Sequence, residues 1–420
     1  MSIEQADAVI VGAGPAGLAA AAEVSRNNGS VVILDEAPFP GGRLPAQIHK
    51  ESRLFKSSKR QWANGAERAD QLVGRVLNSG VKILCGVSVW GIFPGWYTGL
   101  APVVPDSRNN NLPCGINSRA VIVATGAVQN PVILPGWTLP GVITAGAAQN
   151  LINVHRILPG RQAVVVGMDP LSLAVAQLLV TVGASVQGVM LPPANGLQLG
   201  ATTPKTAIKA LGRLSHLAPT FRLALGSKLS AKANPIAARL FPKSGIKVDG
   251  FPVMLRRAVM AVEGEELAQQ AVVADLKADG TVEPGSEEKW PVDVVITSAG
   301  LSPLTELLQV ANCPLVYVPD LGGWVPAHNR ILETPLDGVF VAGSVTGVEG
   351  AAVAEAQGRL AGLTAAGYLG LVKNARLESE TTEHQAGISI ARKNSIPFIT
   401  GIKKGRDFMS RYWEMTVNER

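Results

Sequence analysis

Gly12-Ala13-Gly14-Pro15-Ala16-Gly17 sets three glycines in the spacing G-x-G-x-x-G. Each has its own task. Gly12 permits a tight turn, Gly14 lets backbone approach a pyrophosphate, and Gly17 lets the following helix pack on the preceding strand. Pro15 and Ala16 open that helix, whose free N–H groups and positive dipole end favour phosphate. Asp35 lies eighteen residues after Gly17, at the end of an apolar run. A carboxylate there accepts protons from both hydroxyls of a ribose. Glu36 is adjacent and is placed to share that role. The chemistry expected of this set is the binding of a dinucleotide.

A second strand–turn–helix unit should carry a second fingerprint after Ala163–Val166. It reads Gly167-Met168-Asp169-Pro170-Leu171-Ser172. Asp169 stands where a glycine would touch pyrophosphate, so a side chain and a negative charge oppose the ligand. Ser172 replaces the packing glycine. The next strand, Ser185–Met190, ends in Leu191-Pro192-Pro193, with no acid for a ribose and no arginine for a 2′-phosphate. Productive use of NAD(P)H is not expected.

No other reactive side chains assemble into a set. His49, His155, His216, His328 and His384 are dispersed, with no triad pattern around them. Cys85, Cys114 and Cys313 are scattered, with no C-x-x-C pair. That excludes a redox disulfide, a zinc site or an iron–sulfur cluster held by this chain alone. Cys85 and Cys313 fall in apolar runs and read as core. No catalytic acid, base, nucleophile or metal ligand is assigned.

The elements that must position these residues follow from hydrophobic patterning. Asp7–Val11, Val31–Leu34, Ala120–Ala124, Gln162–Val166, Ser185–Met190, Val292–Thr297 and Gly338–Ala342 read as buried strands. Pro15–Val24, Ala66–Leu77 and Ala351–Leu369 read as helices. Val81–Trp90 reads as one strand and Pro102–Asn117 as loop. Val253–Val262 and Ala271–Leu276 suggest antiparallel strands. Thr203–Leu240 is basic with helical periodicity, a solvated face or a docking surface for an acidic partner. Residues 375–420 show weak periodicity.

Composition narrows the class. The chain has 420 residues, 47% apolar and 17% charged, with 45 glycines and a net charge of +6. That suits a globular α/β protein of two or three domains. No basic-aromatic module points to nucleic acid. The apolar stretch Ala163–Leu191 is broken by Gly167, Asp169, Pro170, Gly183 and Gly188, so no transmembrane segment is expected. The N-terminus carries acids and no basic run, unlike a signal peptide. A cytoplasmic location is expected, with peripheral attachment at the inner face of the membrane left open.

Three further segments carry a resemblance. Val121-Ile122-Val123-Ala124-Thr125-Gly126-Ala127, Val339-Phe340-Val341-Ala342-Gly343-Ser344 and the Gly41-Gly42 pair resemble those of the two-dinucleotide-domain, glutathione-reductase-like flavoproteins. The resemblance implies FAD at the first fingerprint. It also implies a helix starting near Gly350-Ala351-Ala352 that faces the flavin ring, its dipole favouring negative charge there. Ser344 stands where that family has Asp, and supplies a weaker hydrogen bond. Arg43 and Gln47 are expected beside the flavin or its phosphates, with His49 near them, and Val89 is placed with the same set.

The stretch from Leu134-Pro135-Gly136-Trp137 to Ala147-Ala148-Gln149 is similar to the FAD-binding subunits of multi-subunit dye-linked dehydrogenases. These include opine oxidases, proline and hydroxyproline dehydrogenases and hydrogen cyanide synthase. Trp137 itself reads as an interdomain packing residue. The resemblance implies two Rossmann-like domains. The FAD domain is discontinuous over 1–150 and 325–375, the NAD(P)-like domain with a degenerate fingerprint is inserted over 151–324, and a C-terminal tail or subunit-contact segment covers 376–420. It implies a subunit that takes part in oxidising an amine, imino acid or opine and passes electrons to an acceptor other than NAD. The partners implied are a second flavoprotein subunit that oxidises the substrate and a small iron–sulfur subunit or ferredoxin. Two other readings remain: a self-contained NAD(P)H or disulfide-type oxidoreductase, and a nucleotide-binding subunit without turnover.

Overall fold

The computed structural model describes residues 2–47, 65–104, 112–194, 201–213, 234–395, 399 and 401–416. Strand β1 (Ile3–Val11) runs through the glycine turn into helix α1 (Pro15–Arg26). Pro15 takes the first helical position, where its missing N–H costs nothing and its fixed φ suits the helix. Strand β2 (Val31–Asp35) returns parallel to β1, with Val9 opposite Val32 and Val11 opposite Leu34. Helix α2 (Gly65–Asn78) follows.

The run 81–90, expected as one strand, is two. Strand β3 (Lys82–Cys85) lies parallel to β2, and β4 (Val87–Phe93) pairs antiparallel with β5 (Tyr97–Pro102). Between them Gly86 sits at φ +68° and donates its N–H to Ala37 O at 2.9 Å. That left-handed conformation turns the chain out of one pairing and into another. The expected loop over 102–117 also ends early, because β6 (Gly115–Val123) begins inside it. Strand β6 runs parallel to β1 along its length, from Ile3 opposite Gly115 to Val11 opposite Val123.

The second sheet holds β7 (Val142–Thr144), β8 (Gln162–Val166), β9 (Ser185–Leu191), β10 (Phe251–Glu263), β11 (Gln270–Asp275), β12 (Glu288–Pro291) and β13 (Val294–Thr297). Its order is β12-β11-β10-β9-β8-β13-β7, with the short strand Ile246–Val248 hanging on β10. The segments 253–262 and 271–276 pair antiparallel within β10 and β11. Helix α3 (Pro170–Thr181) follows β8. Separate apolar cores lie about this sheet, one around Leu173, Leu179 and Phe251, the other around Val164, Val259 and Val295.

The chain then returns to the first sheet. Strands β14 (Leu315–Val318) and β15 (Gly323–Pro326) form an antiparallel ribbon. Strand β16 (Val339–Val341) pairs parallel with the far half of β6. Three helices close the chain: α4 (Ala351–Tyr368), α5 (Asn374–Asn394) and α6 (Ile402–Thr416).

The described residues fall into two units, one of 2–45, 65–128 and 301–416, the other of 46–47 and 129–300. The seams differ from those expected at 150 and 325. Residues 129–149 join the second unit because β7 pairs with β13, Val142 opposite Val295. The ribbon β14–β15 belongs to the first unit, and so do the last two helices, so the described residues of 376–416 pack into that unit and do not stand apart as a tail.

Within the first unit α1 crosses α4 at backbone contact. A Cβ at Gly358 would lie 2.1 Å from Ala16 O, and one at Gly362 would lie 2.5 Å from Ala20 O. Residues four apart share a helix face, so the pair leaves a flat strip for α1. Gly358→Ala should destabilise the fold by about 2 kcal/mol, since overpacking against backbone outweighs alanine's ~1 kcal/mol helix advantage. Gly387→Ala in α5, where an added Cβ meets nothing within 4 Å, should stabilise by up to about 1 kcal/mol. Urea unfolding of both variants checks this; a neutral Gly358→Ala would refute the tight crossing.

Candidate dinucleotide-binding site

Strands β1, β6 and β16 are parallel, so their C-terminal ends share one sheet edge. Each end carries one of the singled-out segments: Gly12–Gly17, Ala124–Gly126 and Gly343–Ser344. In open α/β sheets ligands bind at this edge. The segments touch. A Cβ at Gly12, φ +107°, would lie 2.4 Å from Ala124 O. A Cβ at Gly17 would lie 1.8 Å from Gly12 O, and one at Gly343 would lie 2.9 Å from the Ala16 Cβ. Ala16 was expected to face the ligand. Its side chain instead packs against Gly343 and its carbonyl against Gly358, leaving only its amide for a phosphate.

Gly14 is different. A Cβ there would meet nothing closer than the Gly42 Cα at 3.9 Å. Gly42, φ +58°, would itself bring a Cβ within 2.8 Å of the Gly14 Cα. Helix α1 has no side-chain cap, and the amides of Gly14, Ala16 and Gly17 donate to no acceptor among the described residues. Uncapped donors around an unfilled glycine fit a pyrophosphate.

Asp35 braces this loop. Its Oδ2 accepts from Ala13 N at 2.6 Å and its Oδ1 from Ala37 N at 2.8 Å. Burial pushes its pKa up against the pull of these two amides. Each oxygen keeps a lone pair that a ribose hydroxyl can use. Glu36, its expected alternate, is exposed. Arg43 Nη2 donates to Ala127 O at 2.7 Å. Gln47 is half-buried and belongs to the second unit. Val89 departs from expectation: its side chain packs into the apolar clusters beside β4, next to a bulge in the β4–β5 pairing. His49 and residues 214–233 of the basic stretch lie outside the described residues.

Further along the edge, Thr125 Oγ1 donates to Leu304 O at 2.7 Å, and Gly126, φ +83°, has open space beside it. Gly343 N donates to the buried Gln357 Oε1 at 2.9 Å. Ser344 is half-buried, and its hydroxyl has no partner among the described residues. Helix α4 begins after Gly350, φ +108°, again with no side-chain cap. Ala351 and Ala352 are half-buried, and their amides have no acceptor among the described residues.

The second fingerprint is closed by its own residues. Asp169 caps α3: its Oδ1 accepts from Ser172 N at 2.8 Å and Ser172 Oγ at 2.9 Å. Ser172 Oγ accepts from Asp169 N at 3.1 Å, and Ser298 Oγ donates to Asp169 Oδ2 at 2.7 Å. This reciprocal cap places an internal carboxylate on donors that a dinucleotide phosphate would need.

Sequence reasoning missed a buried charge cluster ahead of α4. Glu349 is bound by Arg392 of α5 and Arg406 of α6, and Arg406 also reaches His328. Burial would raise the Glu349 pKa, but Arg406 and Arg392 overcome it and hold it below the usual glutamate range. Burial and then Arg406 push His328 down to about 3. The only local signal was Glu349 beside Gly350; the arginines lie 43 and 57 residues away. Trp137, read as packing, is 42% exposed. Gly136 makes the close contact instead, since a Cβ there would lie 1.9 Å from Val262 O.

A family profile described as pyridine nucleotide-disulphide oxidoreductase matches residues 6–358. The chain belongs to that family. It is an FAD-binding oxidoreductase with the family's two-dinucleotide-domain fold. An opine oxidase subunit of Agrobacterium tumefaciens is 30% identical over 372 residues, covering 87% of this chain and 66% of that protein. The hydrogen cyanide synthase subunit HcnB of Pseudomonas aeruginosa is 24% identical over 419 residues, covering 96% and 78%. The chain spans about two thirds of the opine oxidase subunits it matches. Among solved structures, L-proline dehydrogenase of P. horikoshii aligns with a TM-score of 0.58 at 18% identity, covering 91% of this chain and 60% of that one. Thioredoxin reductase of T. acidophilum gives 0.58 at 20%, covering 86% and 98%. No helix among the described residues is long and apolar enough to cross a membrane.

Two expectations follow. Gly14→Val should fold with native-like stability, its φ of −77° and ψ of −176° suiting valine, yet lose FAD affinity at least tenfold, about 1.4 kcal/mol. Gly17→Val should instead unfold the protein. Flavin-to-protein ratio and thermal melts separate the two. Burial pushes the Cys85 thiol to about 11 and the Cys313 thiol to about 12. In the folded protein at neutral pH, maleimide should therefore label Cys114 well ahead of both, read by peptide mass mapping.

Proposed function

We propose that this chain is the FAD subunit of a multi-subunit dehydrogenase or oxidase that works on an amine, imino acid or opine. The observation carrying this reading is the contrast between its two dinucleotide folds. One keeps uncapped amides over an open Gly14, while the other fills that position with Asp169. A chain with one open fold has a flavin but no nicotinamide donor or acceptor. Its electrons come from and go to something else. The relatives support the substrate class: they are named as subunits of opine oxidase, hydrogen cyanide synthase and sarcosine oxidase.

In this reading Gly14, Ala16 and Gly17 hold the pyrophosphate by their amides, Gly12 supplies the tight turn with its own N–H donated to Leu34 O, and Asp35 holds the ribose. Ala124, Thr125 and Gly126 flank the flavin nucleotide, with Gly42 and Arg43 on the facing loop. Gly343 and Ser344 bind the ribityl chain, the Ser344 hydroxyl having no other partner among the described residues. The α4 start at Gly350, Ala351 and Ala352 faces the ring. Bound FAD would take up the electron pair released when the partner oxidises a CH–NH unit to C=N, the C–H and N–H bonds breaking and the C–N bond being kept. This chain's residues contribute orientation and electrostatics, with no acid or base assigned among the described residues. The partner is a second flavoprotein subunit that oxidises the substrate. Residues 375–420 contain no cysteine, so any iron–sulfur centre of the assembly sits on a small separate subunit or ferredoxin.

The test is anaerobic. NADH or NADPH at low concentration should leave the flavin absorbance of the purified chain unchanged. The complex with its co-expressed partner should be bleached by an opine, imino acid or secondary amine. Rapid bleaching by NAD(P)H would overturn the reading.

A further inference from the structure

The buried charges ahead of α4 are unequal. Arg406 donates through all three nitrogens: Nε to Glu349 Oε1 at 3.0 Å, Nη1 to His328 Nε2 at 3.1 Å, and Nη2 to Thr346 Oγ1 at 3.0 Å and Glu349 Oε1 at 2.6 Å. Arg392 adds a bidentate pair, Nε to Oε2 at 2.6 Å and Nη2 to Oε1 at 2.9 Å. His328 donates from Nδ1 to Pro326 O at 2.7 Å, so its Nε2 is the acceptor and the ring is neutral. Among the described residues the cluster therefore holds two positive charges and one negative. Arg406 is mostly buried beside Glu349, while Arg392 keeps 33% of its side chain exposed, and the pair leaves the cluster net positive.

This charge sits behind a short, specific piece of backbone. Arg406 grips both ends of the turn from Thr346 to Glu349, and Glu349 precedes Gly350, the start of α4. The approach is close: a Cβ at Gly347, φ +143°, would lie 3.1 Å from Arg406 Nη2. The last two helices also dock through apolar side chains: Met409, Ile402 and Tyr412 of α6 pack with Val318, Leu321 and Val325, and Leu377 of α5 packs with Leu363, Ala366 and Val372. The arginine forks add a specific attachment to the turn ahead of α4.

We propose that α5 and α6 form an arginine latch whose surplus positive charge raises the reduction potential of the bound FAD, with Arg406 the positioning residue that also fixes the α4 start. This rests on the reading that the α4 start faces the flavin ring. An arginine cannot shed its proton to relieve burial, so its charge acts at every working pH. Negative charge gained by the ring on reduction is stabilised by that field and by the helix dipole together.

The sign of the effect separates a latch from a mere brace. The midpoint potential of FAD reconstituted into the full chain would be measured by equilibration with a reference dye. Arg406→Gln removes a positive charge and should lower the reduced-to-oxidised ratio at fixed potential at least tenfold, a fall of about 29.6 mV for a two-electron couple. Glu349→Gln removes a negative charge and should raise that ratio. Arg406→Lys keeps the charge and should retain most of the potential, while the melting temperature falls from loss of the fork. Arg376→Gln, which breaks an exposed pair with Glu380 on α5, should change nothing. Shifts of the same sign in Arg406→Gln and Glu349→Gln, or no shift with FAD still bound, would overturn the latch. If Arg406→Gln fails to fold, the rise in Glu349→Gln and the retention in Arg406→Lys decide it. Failure of the underlying reading looks different: an acid placed at the α4 start, Ala352→Asp, would then leave the potential of the bound FAD unchanged, whereas a start that faces the ring makes it fall.

Discussion

Everything in the first unit depends on two helices from opposite ends of the chain touching backbone to backbone. Helix α1 belongs to the first thirty residues and α4 to the last seventy. Their contact allows no side chain at Gly358 or Gly362, nor at Gly343 beside them. Each helix follows one of the parallel strands of the first sheet, so the crossing brings two uncapped helix starts to the same edge. The glycines of the fingerprint are therefore of two kinds. Gly12 and Gly17 are fixed by protein contacts and would be needed without any ligand. Gly14 alone faces unfilled space, and it is the position that reports on the cofactor.

The same local fold appears twice with opposite outcomes, and one side chain makes the difference. After β1 the turn has glycine, and the amides of α1 are left for a phosphate. After β8 it has Asp169, and the carboxylate takes the place of one. The cap is stabilised from two further directions, by Ser172 within the helix and by Ser298 after β13. A capping box is worth about 1 kcal/mol to a helix. Displacing it would add that cost to the repulsion between two anions. The cap that occupies these amides also stabilises the second unit, so Asp169 could not be exchanged for glycine without a loss of stability.

Much of the first sheet was legible in the sequence because its signals are local. Buried strands, a glycine turn and an Ala-rich helix follow each other within thirty residues, and Gly12, Gly14, Gly17 and Asp35 could be placed by spacing. The legible part fails where long-range contacts decide. Gly86 split one apolar run into two strands because its N–H found Ala37 O, which no short window contains. Trp137 read as a packing residue, yet it is 42% exposed and the glycine before it makes the close contact. Helices α5 and α6 were unreadable as docked elements because their partners lie far away in sequence, Glu349 being 43 residues from Arg392 and 57 from Arg406. Periodicity reports an apolar face, not the distant surface or buried acid that the helix meets.

The arginine pairing recurs. Glu355, one turn into α4, is buried and held by Arg68 of α2 and by Arg359. Glu349 just ahead of α4 is held by Arg392 and Arg406. Two acids flanking one helix start are each paired with two arginines. For stability alone this is a poor solution, because replacing such groups with apolar ones is often neutral or favourable. It makes sense if the field at the helix start matters as much as its position. The acids satisfy the forks geometrically, and the excess arginines set the sign of the field. A rigid helix start with a fixed positive bias suits a ring that gains negative charge on reduction.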